Sequence, residues 1–155
     1  MKCFILLIGL FQLSFPNTLI ANNLCNKDEK VIFSCEIKNK NASVCQLRNK
    51  QLIYKFGSNE KIELTLKSKP YFSTAMYPGG GGAHLRFRNK EYSYIVYSFI
   101  RGIREKTEGA GIYVLKKDKL LADIECTGFK DEIYGIRTFE GGYLEEEFKE
   151  KGFDF

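Results

Sequence analysis

The chain has 155 residues, with 24 basic and 19 acidic side chains and a net charge of +5. That length holds one domain and is short for two. The charge is mild and not clustered, so no nucleic acid is expected as a partner.

In chain order, residues 1–21 read as a secretory signal. Lys2 gives a positive start, "FILLIGLFQLSF" (4–15) is an apolar run of about a dozen residues, and "LIA" ends at Ala21. The run is shorter than the roughly 20 residues that span a bilayer. The "NNL" before Cys25 lacks the small residue that lipid attachment needs. The expected product is a monomer of residues 22–155 with no membrane span, exported to the periplasm or beyond, with net charge +4 once Lys2 is gone.

Cleavage removes Cys3 and leaves Cys25, Cys35, Cys45 and Cys126. An even count in a small exported domain predicts two disulfides, no free thiol and three possible pairings. Cys126 is expected to join Cys35 or Cys45, whose strands form an early hairpin. No two cysteines are two residues apart, and His84 is the single histidine, so no metal site and no cofactor are predicted.

After Asn22 the dominant signal is alternation with period two, bounded by Gly, Asn and Lys turns. "KVIFSCEI" puts Val31, Phe33, Cys35 and Ile37 on one face. "ASVCQLR", "QLIYKFG" and "KIELTLKS" follow, the last with Ile62, Leu64 and Leu66 opposite a wet face. "PYFSTAMYP" is a short strand between prolines, "AHLRFR" points Leu85 and Phe87 inward, and "EYSYIVYSFI" is apolar on both faces. "AGIYVLKK" and "KLLADIEC" are strands around a tight turn. About eight short strands without intervening helices predict an all-β fold, an antiparallel barrel or sandwich.

The end differs. In "YLEEEFKEK" Leu144 and Phe148 lie four apart, with acids early and lysines late, which predicts a short amphipathic helix over 143–151. The segment from Ile133 to Phe153 is expected to cover the second face of "EYSYIVYSFI", where Tyr97 and Phe99 oppose Tyr92, Tyr94 and Val96. Asn41-Ala42-Ser43 matches a glycosylation acceptor but sits in a predicted turn, where such residues are common anyway.

"YPGGGGAHLRFRNKEYSY" is the one unusual stretch. Gly79, Gly80, Gly81 and Gly82 lead into a strand with no Lys-Ser or Lys-Thr after them, which excludes both a phosphate-binding loop and a dinucleotide turn. They read as a wide turn, or as an exposed loop that a partner approaches closely. With Leu85 and Phe87 inward, His84, Arg86 and Arg88 are expected outward as a basic ladder. No nucleophile elbow is present and the paired carboxylates fall on solvated turns, so no catalytic residue is assigned and an enzyme is not expected.

The run "CNKDEKVIFSC", then "SVC", "LIYKFG", "GGGGAHLRF" with Asn89, Tyr92, Tyr94, Val96 and Tyr97 after it, and Cys126-x-Gly128, resembles a group of small exported bacterial proteins of uncharacterised activity. The architecture is also similar to that of periplasmic inhibitors of c-type lysozymes, disulfide-stapled barrels whose small-residue loop blocks the lysozyme cleft. Here glycines stand where a serine is expected and the chain has no tryptophan, so no inhibitory residue is carried over.

The leading expectation is an exported protein-binding module of the inhibitor or protective-factor kind. Gly79 to Gly82, His84, Arg86 and Arg88 would meet another exported protein or an envelope component. The alternative is a barrel that binds a small ligand or an envelope glycan at a mouth lined by Tyr92, Tyr94 and Tyr97. A hydrolase ranks third.

Overall fold

The computed structural model describes residues 22–133 and 144–145. Among the described residues, eleven strands form two sheets. The first sheet takes β1 (Lys30–Ile37), β2 (Lys40–Gln46), β3 (Leu52–Gly57), β4 (Ile62–Leu66) and β10 (Gly128–Asp131), in the order β10-β1-β2-β3-β4. The second takes β5 (Tyr71–Tyr77), β6 (Gly80–Asn89), β7 (Tyr92–Arg101), β8 (Thr107–Lys116), β9 (Lys119–Glu125) and β11 (Leu144–Glu145), in the order β11-β5-β6-β7-β8-β9. All pairings are antiparallel except β11 with β5.

The path follows from turn chemistry. Lys117 and Asp118 both take positive φ (48° and 62°), the backbone of the tight primed turn that suits a two-residue hairpin. Lys38 and Lys90 supply positive φ in the β1–β2 and β6–β7 turns. Four strands meander through the first sheet, the chain crosses at residues 67–70, and five more meander through the second. Cys126 and Thr127 make the return corner. The Cys126 N–H donates to Ala110 of β8 and the Thr127 N–H to Glu36 of β1, so the corner bonds to both sheets.

Of the two expected arrangements, barrel and sandwich, the closed barrel is not formed. The described strands make two separate sheets with free edges, and the inward faces bury one core between them. Phe33, Cys35, Val44, Leu52 and Tyr54 of the first sheet meet Leu85, Phe87, Val96 and Ile112 of the second, with Ile133 fully buried among them. Tyr54 stacks on Tyr94 at 5.8 Å between centroids.

The expected helix over 143–151 is corrected at its start. Leu144 and Glu145 form a strand beside Tyr71 and Phe72, and the rest of that segment lies outside the described residues. Edge strand β5 offers unpaired backbone groups there, and two residues of β pairing outcompete a weak i,i+4 pattern. Asn41 lies in strand β2 and is buried, so the acceptor motif is not on a turn.

The disulfides are Cys25–Cys45 and Cys35–Cys126. The second joins β1 to the return corner, as expected for one of the two partners considered. The first pins the segment 22–29 over the outer face of the first sheet. Beside it Lys55 Nζ donates to Glu29 Oε2 at 2.7 Å and to the Leu24 carbonyl at 3.2 Å. Glu29 also accepts from the backbone and side chain of Asn26. Burial opposes ionisation of Glu29, but these bonds hold its carboxyl below the usual range. Such an inaccessible pair persists because nearly every donor and acceptor in it is satisfied.

Candidate functional site

The four glycines are not a loop. Pro78 and Gly79 alone turn the chain, Gly79 at φ 78°, and Gly80 to Gly82 continue as strand β6 opposite Tyr77, Met76 and Ala75. Proline followed by a residue with positive φ is the residue order of a type II turn, so nothing more is needed to reverse the chain.

Gly79 and Gly80 also serve a close approach. A β-carbon on Gly79 would overlap the carbonyl of Gly102, and one on Gly80 would overlap that of Ile100. The Gly102 N–H donates to the Pro78 carbonyl at 3.1 Å. The tips of the β5–β6 and β7–β8 hairpins are therefore held backbone to backbone.

At this end of the second sheet the face that is the core further along is open to water and carries apolar side chains. Met76, Gly81 and Ile100 stand side by side in register on that face. Met76 is 87% exposed, Ile100 41% and Ile103, next to Gly79, 81%. Arg104, Glu105 and Lys106 are exposed in the same turn, and the Arg101 guanidinium lies over Phe99 at 4.9 Å on the opposite face of the sheet. Sequence reading missed this cluster. The available signal was an isoleucine placed in a turn between Gly102 and Arg104.

The basic ladder is corrected as well. His84 is only 3% exposed, and burial, helped by the charge of Arg86, lowers its pKa to about 4 against a bond to Ser73, so it is neutral at pH 7. The side chain of Arg86 is largely covered and lies 3.7 Å from Asp118. Arg88 is exposed, with its guanidinium over the Tyr71 ring at 4.6 Å. The reason is that β6 is an interior strand whose second face is also buried. Ile95, Tyr97, Tyr113 and Leu115 form a second cluster on that face, with Phe99 against it.

That cluster is built on matched spacing. Tyr97 and Phe99 stand opposite Gly111 and Gly109. A β-carbon at Gly111 would overlap the Tyr97 hydroxyl, and one at Gly109 would come within 2.7 Å of the Phe99 ring. Both rings thus lie flat across β8, as aromatic side chains do over strand glycines. Tyr97 stacks on Tyr113 at 4.2 Å, and its hydroxyl donates to Asp123 Oδ1 at 3.0 Å. Burial first, then Tyr113 and Asp123, push the Tyr97 hydroxyl far up. The pairing of "YSF" with "GAG" at equal i,i+2 spacing was readable in the sequence.

A hollow of about 100 Å³ opens here, lined by His84, Tyr97, Phe99, Arg101, Asp123 and Glu125 among others. A neighbouring one of about 230 Å³ reaches Cys126 and Phe129. Tyr92, Tyr94 and Tyr97 do not share a mouth. Tyr94 packs against the central core, Tyr97 lies on the opposite face, and Tyr92 sits at the strand end under Lys116 at 5.4 Å. Cys25, Cys45 and Glu29 come within 4.8 Å, but the two sulfurs are bonded to each other.

Fold and surface together define a disulfide-stapled all-β sandwich with an apolar tip. Compared with known proteins, the chain matches no family model, no curated protein and no solved structure significantly. Among the described residues no helix is long and apolar enough to cross a membrane.

Proposed function

We propose that this is an exported protein-binding module that holds its partner at the joined tips of the β5–β6 and β7–β8 hairpins. One observation carries the reading. Met76, Ile100 and Ile103 are gathered at one end and kept in water, although adjacent backbones there are locked together by Gly79, Gly80 and Gly102. A rigid apolar cluster costs solubility, and exposed patches of that kind mark interaction sites. Rigidity also lowers the entropy lost on binding.

Gly79 and Gly80 therefore act through the contact they permit between hairpins, and the side chains that touch a partner come from their neighbours. Two disulfides suit an oxidising compartment outside the cytoplasm.

The test places a photo-crosslinking amino acid at Met76, at Ile103 and, as control, at Leu121 in the exported protein. One discrete product is expected from positions 76 and 103 and none from 121. Ile103→Asp should abolish the product formed from position 76, and Met76→Asp the product formed from position 103, while leaving the circular dichroism unchanged. Crosslinking of equal strength from Leu121, or none from the tip, would sink the proposal.

A further inference from the structure

Asn22 is docked on three neighbours. Its carbonyl accepts from Ser34 Oγ at 2.8 Å, its side-chain oxygen accepts from Asn59 Nδ2 at 3.3 Å, and its backbone nitrogen lies 3.4 Å from Glu36 Oε1. Leu24 and Cys25, just after it in the chain, are fixed equally well. The Leu24 N–H donates to Ser43 Oγ at 3.0 Å, the Leu24 carbonyl accepts from Lys55, and Cys25 is bonded to Cys45. Asn22 comes directly after Ala21, the small residue that ends the signal-like run. The backbone atom that cleavage there would charge is the one that faces a carboxylate.

We infer that the Ala21–Asn22 bond is a processing site and that the α-ammonium released on Asn22 pairs with Glu36. A signal peptidase acting during export adds water across that bond. Ala21 departs with the carboxylate, and the Asn22 nitrogen leaves as an amine that takes up a proton. Before cleavage this nitrogen is an amide with a single N–H. Afterwards it is a cation with three, and charge-assisted bonds to carboxylates are shorter and stronger than neutral ones. Of the three side chains bonded to Asn22, those of Ser34, Asn59 and Glu36, only Glu36 is charged. Processing thereby completes the fastening of the N-terminal segment, independently of what the hairpin tips bind.

The protein is recovered after export from cells that make all 155 residues, and its N-terminal sequence is read. Asn-Asn-Leu-Cys is expected, and any other start overturns the site. The α-amino group of this product is then titrated by NMR in wild type and in Glu36→Gln. The wild-type value should lie above the ordinary range of about 7.7–8.0 and return to it in Glu36→Gln. A chain retaining Ala21 as its first residue should show the ordinary value too. Equal values in wild type and Glu36→Gln overturn the ion pair.

Discussion

Gly80 and Gly128 look alike in the sequence and differ in what surrounds them. A β-carbon at Gly80 meets the backbone carbonyl of Ile100, which is fixed by strand pairing. At Gly128 it meets only the end of the Glu36 side chain, at 3.1 Å, which swings aside. Gly80→Ala should therefore lower stability by about 1–3 kcal/mol, the usual range for forced overpacking. Gly128→Ala should stay within about 0.5 kcal/mol of wild type. Urea unfolding of the two variants decides; equal losses would mean that the hairpin tips are not locked as described. The glycine run was legible as special from the residues alone. Its purpose was not, because the atoms it accommodates belong to Ile100 and Gly102, some twenty residues on.

Among the elements, the disulfides do unequal work. Cys25–Cys45 closes a separation of 20 residues and Cys35–Cys126 one of 91. In the chain-entropy model the two contribute about 3.3 and 4.6 kcal/mol. Replacing Cys35 and Cys126 by serine should therefore cost about 1 kcal/mol more than replacing Cys25 and Cys45, as read from the denaturation midpoints. An inverted order would show that the segment fastened by Cys25, with Leu24 buried and Lys55 bonded to Glu29, carries more of the fold than the return corner.

For the molecule as a whole, His84 sets a pH dependence. An unfolded chain protonates this imidazole below about 6.5, whereas the folded one does so only near about 4. Between those values the unfolded state binds more protons, so stability is complete above pH 6.5 and declines as the pH falls. The loss reaches about 3 kcal/mol. Glu29 and Glu132 have lowered pKa values, and their contributions fade only below about 4.5. Asp131 works in the opposite sense, because burial raises its carboxyl despite bonds from Ser98 and the Ile133 N–H. The comparison is therefore between variants. His84→Gln should flatten the stability profile between pH 6.5 and 4.5 relative to wild type, measured by urea unfolding at several pH values. An unchanged slope would show that the imidazole titrates like one in water.

Short-range chemistry alone determined the strands, since alternation and turn residues act within a few positions. The bounds of β1 and the Lys117–Asp118 turn were read almost to the residue, although a bulge between Val31 and Phe33 puts Ile32, not Val31, in the core. Even the two-sided burial of β7 was visible, because Tyr97 and Phe99 oppose Tyr94 and Val96 in the alternation. The cysteine count likewise implied two disulfides, but the pairing waited for the fold that sets Cys35 beside Cys126. Tertiary structure alone decided that the sheets stay open, that His84 is buried and neutral, and that Met76 and Ile103 share one exposed end. Each of these depends on strands far apart in sequence. Whether a residue faces water is settled by what lies across the sheet from it, and a period of two reports only which residues share a face.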